Sequence, residues 1–350
     1  MVFTYHAPYC HQLVPHPMKR IPITLLLLLS ACTLLSPEPT VLPKTGITRT
    51  IKPSPSLTPS PIPPTHTPTP SPTAIRPANI SPLFDLSKLG TVETDLTYCT
   101  ADDLALKMDL YYPTTANGPW PVVVYMHGGG FRGGDKANGS GFPFIQPLVD
   151  ANILVASLNY RLLPDYKFPA PLEDVKCAIR ALRANANIFN LDPNRIGAYG
   201  TSVGGYLASF LALTGPSDGF EGNSGYPQVS SAIQAAASLA GPADFTIFCN
   251  PQNPDSGECP NTKFLSRFSP AAYIHPSAPP ILLIHGDQDE IVPVEQSQSF
   301  HEKLTEAGVS SLLIIVKDAN HDFSPVNNNI EPTFEELLVV LVTFFENALK

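Results

Sequence analysis

The sequence predicts an α/β fold in which a mostly parallel, eight-stranded sheet is flanked by helices. From about Leu83 onward, short apolar runs alternate with segments of helical periodicity, a pattern typical of strands joined by crossover helices. Several of the runs are almost continuously apolar, as expected for strands that are covered on both faces. The chain of 350 residues is 43% hydrophobic and 15% charged, which is enough for one large domain or two small ones.

Eight runs of the sequence have the length and composition of strands. The first two alternate in character and are expected to open the sheet as a hairpin-like pair, whereas the later runs are mainly apolar. The predicted strands are residues 92–99, 104–112, 122–126, 153–158, 196–199, 235–240, 281–284 and 312–316. Apolar residues at helical spacing predict helices over residues 172–184, 206–213, 295–307 and 333–349.

The N-terminal part of the chain has the composition of an export signal followed by a linker. A basic start and a short apolar stretch, MKRIPITLLLLLSAC, predict a signal peptide over residues 1–31 with Met18 as its true first residue. Fourteen of the forty prolines fall in residues 37–82. We therefore expect an extended linker rich in Pro, Ser and Thr over residues 32–82, ahead of the folded domain at residues 83–350.

The end of the predicted signal, Leu29-Ser30-Ala31-Cys32, resembles the lipobox of bacterial lipoproteins, in which cleavage precedes the cysteine. This resemblance implies that Cys32 carries a lipid. The protein would then be extracytoplasmic and anchored to a bacterial membrane surface through that lipid. The alternative is an ordinary cleaved signal followed by a chance cysteine.

Export would place the remaining cysteines in an oxidising environment. We predict a disulfide between Cys249 and Cys259, which lie ten residues apart in a segment rich in Pro, Asn and Gly. Cys99 lies in a strand pattern and Cys177 on the apolar side of a helix pattern. Buried free thiols are the favoured interpretation for these two, and a second disulfide between them is the alternative.

Charge and ligand patterns argue against several classes of partner. The formal net charge is −9 and no long basic run is present, which argues against nucleic acid as a partner because such binding depends on clustered Lys and Arg. No group of residues has the spacing of metal ligands. We therefore expect neither a metal nor an organic cofactor.

A candidate nucleophile lies in the segment GTSVGG, which follows one predicted strand and precedes a predicted helix. This is Gly-x-Ser-x-Gly in the strand-turn-helix context that exposes the central serine on a strained turn. Bulk at Gly200 or Gly204 would collide with the neighbouring strand and helix. We therefore predict Ser202 as the nucleophile, with a helix N-terminus behind it that favours negative charge.

A serine hydroxyl needs a base, and four histidines follow Ser202. Proteins with this type of turn carry the acid and then the histidine after the serine. His275 precedes every good acid, His285 ends a predicted strand, and His301 lies inside a helix pattern. His321 lies in a polar loop after the last predicted strand, and we predict it as the base.

The acid that would orient this histidine is expected just after the preceding strand. The segment HGDQDEIVP offers three carboxylates there, Asp287, Asp289 and Glu290. Any of the three could orient the imidazole and stabilise its protonated form. The residues alone do not choose among them.

The glycine-rich segment HGGGFRGGDK directly follows the third predicted strand. Backbone N–H groups can stabilise an oxyanion only where side chains leave them accessible, and glycine permits this. We predict donors from Gly129, Gly130 and the N–H of Val203, with Gly128 as an alternative to one of the glycines. His127 is expected to brace the loop, and we assign no chemistry to the second half of the segment.

Six motifs in order resemble those of α/β-hydrolases of the esterase and lipase type: HGGGFRGGDK, NYRL, FPAPLEDV, DPNRIGAYGTSVGG, HGDQDEIVP and NHDF. The similarity extends from about Leu104 to the C-terminus. It is greatest to secreted feruloyl and acetylxylan esterases and their hormone-sensitive-lipase-like relatives. The resemblance implies an α/β-hydrolase fold, and it implies that the aspartate before Val-Pro, Asp289, is the acid.

The same resemblance implies a serine carboxylic-ester hydrolase that acts through an acyl-enzyme on short-chain or carbohydrate-linked esters. The expected partner is thus a small-molecule or polysaccharide-linked ester. An amide hydrolase of the aminopeptidase or formamidase type and a non-catalytic surface binding lipoprotein are the alternatives. Val203 departs from the alanine that is common in relatives, which leaves the specificity open.

Overall fold

The computed structural model describes residues 90–114, 117–248 and 262–350. They belong to one unit of the chain, Thr73–Lys350. The predicted signal peptide, the linker, the lipid site at Cys32 and the predicted disulfide between Cys249 and Cys259 lie outside the described residues. Among the helices of the described part, none is both long enough and apolar enough to cross a membrane.

One eight-stranded sheet forms the centre of the domain, and all eight predicted strands are confirmed. In chain order the strands are β1 Val92–Ala101, β2 Leu104–Tyr111, β3 Trp120–Met126, β4 Leu154–Leu158, β5 Leu191–Thr201, β6 Ala235–Leu239, β7 Ile281–Gly286 and β8 Ser311–Val316. Their spatial order is β1-β2-β4-β3-β5-β6-β7-β8. β2 is antiparallel to both β1 and β4, and every other neighbouring pair is parallel.

Helices connect the strands and cover both faces of the sheet. They are α1 Ile145–Asp150, α2 Ala170–Ala184, α3 Ala186–Phe189, α4 Val203–Leu213, α5 Phe245–Phe248, α6 Thr262–Arg267, α7 Glu295–Glu306 and α8 Phe334–Ala348. The four predicted helices correspond to α2, α4, α7 and α8. The other four were not predicted because helices of four to six residues are too short for a 3.6-residue period to stand out.

The alternation of side chains along β3 explains why the central strands are apolar throughout. Val122, Val124 and Met126 pack into the core shared with α2 and α4, whereas Val123 and Tyr125 pack into the core shared with α1 and α8. All five side chains are fully buried. Because successive strand residues point to opposite faces, a strand covered on both sides needs apolar residues at every position.

The prediction of free thiols at Cys99 and Cys177 was wrong, because the two residues form a disulfide. Cys99 lies on β1 and Cys177 on α2, and their Cα atoms are 6.4 Å apart despite a sequence separation of 78. Both residues are buried. The pairing depends on α2 packing against β1, which the sequence pattern of either element does not reveal.

Removal of this disulfide is expected to destabilise the domain. A bridge that closes a loop of this length restricts the unfolded chain, and such bridges typically contribute about 2–4 kcal/mol to the free energy of unfolding. The Cys99→Ala/Cys177→Ala variant should therefore unfold at clearly lower denaturant concentration than the wild type. Wild type and variant would be compared in urea with and without reductant. Equal midpoints for the two oxidised proteins would contradict the prediction.

Candidate active site

Ser202 lies on the turn between β5 and α4, at the carboxyl end of the sheet. Its backbone has φ 55° and ψ −120°, a conformation that is rare for a residue with a side chain. The N–H of Ser202 donates a 2.8 Å hydrogen bond to the carbonyl of Leu239 at the end of β6, which holds the turn against the sheet. The strained turn predicted for this serine is therefore present.

Two glycines allow this turn to pack closely. A Cβ atom at Gly200 would approach the carbonyl oxygen of Met126 to 2.5 Å and overlap the backbone of Gly204. A Cβ atom at Gly204 would overlap the same carbonyl of Met126. The expected collisions with the neighbouring strand and helix are thus observed at both positions.

Asp289 and His321 are brought together by the loops that follow β7 and β8. The Nδ1 atom of His321 lies 2.6 Å from Oδ2 of Asp289. The other oxygen, Oδ1, accepts hydrogen bonds of 2.9 Å from the backbone N–H groups of Ile291 and Val292. The Asp289 carboxylate is fully buried, whereas His321 is 18% exposed. The arrangement leaves Nε2 of His321 as the nitrogen that can face a substrate.

The structure distinguishes among the three carboxylates that the sequence left open. Within the described residues, Asp289 alone of the three makes a hydrogen bond to His321. Asp287 instead accepts a hydrogen bond from the side chain of Gln288. Glu290 is exposed. The geometry therefore favours Asp289 as the residue that orients His321.

Asp289 is an ionised carboxylate at neutral pH. Burial raises the pKa of this carboxyl, but hydrogen bonds from His285, His321 and the backbone of Val292 outweigh burial and hold the pKa well below its usual range. A fixed negative charge beside Nδ1 of His321 stabilises the imidazolium that forms when this histidine takes up a proton.

The glycine loop after β3 lies against the nucleophile turn. A Cβ atom placed on Gly128 would be 3.3 Å from Cβ of Ser202. Gly129 and Gly130 are exposed and have positive φ values of 118° and 61°. In the part of the chain that the structure describes, the N–H groups of these two glycines donate no backbone hydrogen bond. Their role as oxyanion donors together with Val203, the first residue of α4, stays a prediction.

His127 braces the loop, as predicted. Its Nδ1 atom lies 2.7 Å from the carbonyl oxygen of Gly128, and its ring stacks on Tyr160 with centroids 4.4 Å apart. The hydroxyl of Tyr160 donates a 2.6 Å hydrogen bond to the carbonyl of His127. Burial lowers the pKa of His127, so the ring is neutral at neutral pH and Nδ1 carries the proton that it donates to Gly128.

Sequence reasoning missed the role of the second half of the glycine segment. Lys136 is buried and its Nζ atom pairs with Asp109 on β2 at 2.9 Å and with Asp95 on β1 at 3.0 Å. The preceding Asp135 accepts a 2.9 Å hydrogen bond from the side chain of Asn159. These contacts anchor the far end of the glycine loop to the sheet. The signal in the sequence was Asp109, a carboxylate between two apolar residues of a strand.

A second buried ion pair was also missed, although its residues lie in two of the quoted motifs. Arg161 from NYRL pairs with Asp174 from FPAPLEDV at 2.7 Å, and both side chains are buried. Arg161 also pairs with Asp102 in the turn between β1 and β2. The pair fixes the start of α2 against the segment that follows β4. The sequence signal for this ion pair was Asp174, a carboxylate among the apolar residues of a predicted helix.

The sequence of this chain is similar to those of known proteins. A model of the BD-FAE family matches residues 108–304. Esterase LipQ of Mycobacterium tuberculosis is 30% identical over 217 residues, which are 58% of this chain and 50% of that protein. Esterase LipC of the same organism is 28% identical over 239 residues, 63% of this chain and 58% of that protein. The chain thus spans about half the length of such relatives.

Solved structures have the same architecture. A truncated form of a carbohydrate esterase from gut microbiota is 26% identical, with a TM-score of 0.66, and the match covers 75% of this chain and 98% of that one. Esterase 2 of Thermogutta terrifontis, at 23% identity and a TM-score of 0.61, covers 73% of this chain and 94% of that one and shows the shared fold. Since the family model spans more than half of the chain, and the sheet has the α/β-hydrolase strand order, this chain belongs to the BD-FAE family of α/β-hydrolases.

Proposed function

We propose that the protein is a serine carboxylic-ester hydrolase with Ser202 as nucleophile, His321 as base and Asp289 as the acid that orients it. The observation that carries the proposal is the 2.6 Å contact between His321 and the buried Asp289 carboxylate. This contact lies at the carboxyl end of the sheet, where Ser202 occupies the strained turn that follows β5. Parallel strands end at the same edge of a sheet, which supports a site formed by the loops that follow β5, β7 and β8.

The proposed reaction has two steps. Ser202 Oγ attacks the ester carbonyl carbon and passes its proton to Nε2 of His321, while the N–H groups of Gly129, Gly130 and Val203 stabilise the oxyanion. His321 returns the proton to the leaving alcohol, and an acyl-enzyme remains on Ser202. Water then attacks this ester with His321 as base, which releases the carboxylic acid and restores the serine.

The surroundings of His321 support a substrate whose alcohol part is polar and extended. The leaving alcohol takes its proton from His321 and must therefore lie on that side of the site. Residues 322–325, which directly follow His321 in the chain, line part of a groove of about 760 Å³. Its polar lining comprises Ser140, Asp322, Ser324, Asn329, Thr333 and Glu335, with the aromatic side chains of Phe323 and Phe334 beside them. Hydroxyl, amide, carboxylate and aromatic groups together suit a carbohydrate that carries no negative charge.

Aromatic rings pack against one another near the start of α4, the helix that follows Ser202. Phe131 contacts Tyr206 edge to face, with ring centroids 5.5 Å apart, and Tyr206 contacts Phe245 at 5.6 Å. Tyr206 lies one helical turn after Ser202. These rings, together with Val203, support a short acyl group. A carbohydrate esterase among the solved relatives agrees with this substrate class.

We further propose that the protein acts outside the cytoplasm and is held at a bacterial membrane surface by a lipid on Cys32. The disulfide between Cys99 and Cys177 supports export, because such bridges persist in oxidising compartments. The anchor would be tested by mass spectrometry of the purified N-terminal peptide. An unmodified Cys32 would contradict it.

The activity would be tested on p-nitrophenyl esters from acetyl to octanoyl, followed by acetylated xylan and feruloyl esters. We expect turnover to be highest on the shortest acyl chains and detectable on the carbohydrate esters. Labelling by a fluorophosphonate would report a reactive serine independently of the substrate. Labelling without ester hydrolysis would point to an amide hydrolase, and no labelling would point to a non-catalytic protein.

A further inference from the structure

The carboxylate that holds His321 has a second imidazole bound to the same oxygen. Oδ2 of Asp289 lies 2.6 Å from Nδ1 of His321 and 3.1 Å from Nε2 of His285. The same Nε2 atom lies 2.8 Å from the carbonyl oxygen of Val292. His285 is the last but one residue of β7, and it is fully buried.

The neighbours of His285 fix its tautomer. Nε2 faces two acceptors, the Asp289 carboxylate and the Val292 carbonyl, and must therefore carry a proton. Nδ1 lies 2.7 Å from the hydroxyl of Ser297 on α7, which is itself buried, so this second contact holds the ring in place. His285 is thus locked as an N–H donor to the oxygen that also binds His321.

With this contact, the Asp289 carboxylate has four donors. Two are imidazole N–H groups on Oδ2 and two are backbone N–H groups on Oδ1. Hydrogen bonds to a carboxylate disperse its negative charge. Each added donor therefore weakens the hydrogen bonds between the carboxylate and its other donors. His285 shares an oxygen with His321 and competes with it directly.

No other nearby titratable side chain in the described residues competes with His321 for the Asp289 carboxylate. In the described residues, the other titratable side chains of the surrounding loops and of α7 make no hydrogen bond or ion pair to His285 or Asp289. They are Asp244, Asp287, Glu290, Glu295, His301, Glu302, Lys303, Glu306, Lys317, Asp318 and Asp322. Of these, Asp244 and Lys303 are paired with each other at 2.6 Å.

We propose that His285 is a positioning residue, which limits how strongly Asp289 binds His321 and thereby sets the pH range in which His321 acts as a base. This inference rests on the proposed function for its kinetic consequence. Without the N–H of His285, Oδ2 of Asp289 concentrates more charge against His321 and stabilises its protonated form. The acid limb of the pH–rate profile then moves to higher pH. The carboxylate also loses one of its fixed contacts, so turnover falls.

Two amide substitutions at position 285 test the N–H donor separately from the loss of the imidazole ring. His285→Gln places an amide N–H near the position of Nε2, whereas His285→Asn is shorter and reaches only the Ser297 side. We expect His285→Asn to lower kcat/KM at neutral pH about tenfold, the usual effect of losing one hydrogen bond to a charged group. Its acid limb should move up by about half to one pH unit. His285→Gln should keep the wild-type profile.

His301→Asn is the matched control. His301 lies on α7 and also contacts a serine hydroxyl, Ser311, at 2.9 Å, but it has no contact with Asp289. Its replacement should change neither kcat/KM nor the pH profile. A residue with a purely structural role at position 285 would lower the amount of folded enzyme without moving the acid limb.

Proton NMR tests the role of His285 without an activity assay. The Nδ1–H proton of His321 in its bond to Asp289 gives a far-downfield resonance, which should move further downfield in His285→Asn and stay in place in His285→Gln. Folded His285→Asn with the wild-type resonance and acid limb would overturn the inference. If the wild type hydrolysed no ester, the proposed function would fail, while the resonance would still decide the role of His285.

Discussion

Replacement of Ser202 by alanine is expected to lower kcat by roughly 10⁵- to 10⁶-fold, the size of the loss when a triad nucleophile is removed. The alanine keeps Cβ, so the strained backbone at φ 55° is retained and the turn does not change. Only Oγ, the atom proposed to form the acyl-enzyme, disappears. Initial rates on a p-nitrophenyl acetate series, with enzyme concentrations high enough to detect residual turnover, would measure the loss.

Ser209 offers a control on the same helix. Its hydroxyl donates a 2.9 Å hydrogen bond to the carbonyl of Gly205 and is buried away from the turn. Ser209→Ala should retain turnover within about threefold, because a single neutral hydrogen bond contributes little to catalysis and about 1 kcal/mol to stability. A Ser202→Ala protein that kept more than about one part in a hundred of the activity would identify another nucleophile.

Asp289→Asn is expected to lower kcat by about 10⁴-fold, the loss typical when the acid of a triad becomes an amide. The amide cannot stabilise a protonated His321, and its N–H group faces the Nδ1–H that the carboxylate accepts. KM should change much less than kcat, because the charge is needed mainly in the transition state. Steady-state kinetics at neutral pH would separate the two constants.

Asp287→Asn is the matched control, two residues away in the same loop. It removes a carboxylate that makes no hydrogen bond to His321 in the described structure, so kcat should remain within about threefold of the wild type. A large loss in Asp287→Asn combined with a small one in Asp289→Asn would exchange the roles of the two aspartates.

Asp289 also has a predictable effect on stability. The pKa of this carboxyl is lower in the folded protein than in the unfolded chain, where it is about 3.9. Its ionisation therefore stabilises the fold fully above about pH 4–5, and the contribution is lost as pH falls through the folded-state value. The stability difference between wild type and Asp289→Asn should accordingly shrink as the pH of the unfolding experiment is lowered.

Local features of the chain were sufficient for most of the architecture. Strands covered on both faces are apolar at almost every position, and this composition identified the later strands, whereas the first two were identified by their alternating character. Ser202 was predicted because a strained turn between strand and helix needs glycine two positions before and after the serine. Gly200 and Gly204 occupy these positions. His321 followed from its place after the last strand, which the order of elements determines.

Contacts between distant segments were beyond such reasoning. The bond between Cys99 and Cys177 depends on the packing of α2 against β1, and the anchoring of Lys136 depends on carboxylates of β1 and β2. The choice of Asp289 over Asp287 came from a resemblance, since three carboxylates in one loop are equivalent until the loop has a conformation. The hydrogen bond to His321 distinguishes them in space.

The sequence by itself thus determined all eight strands, the four longer helices and their order, and it predicts a nucleophile, because these depend on residue period and on backbone conformations set over a few positions. The tertiary structure alone decided which side chains share a hydrogen bond. Two residues on different strands meet only when strand order, register and loop conformation are all set, and no local pattern encodes that distance. His285 shows this most clearly: in the sequence it is the end of a strand, and in the fold it is a second donor on the carboxylate of Asp289.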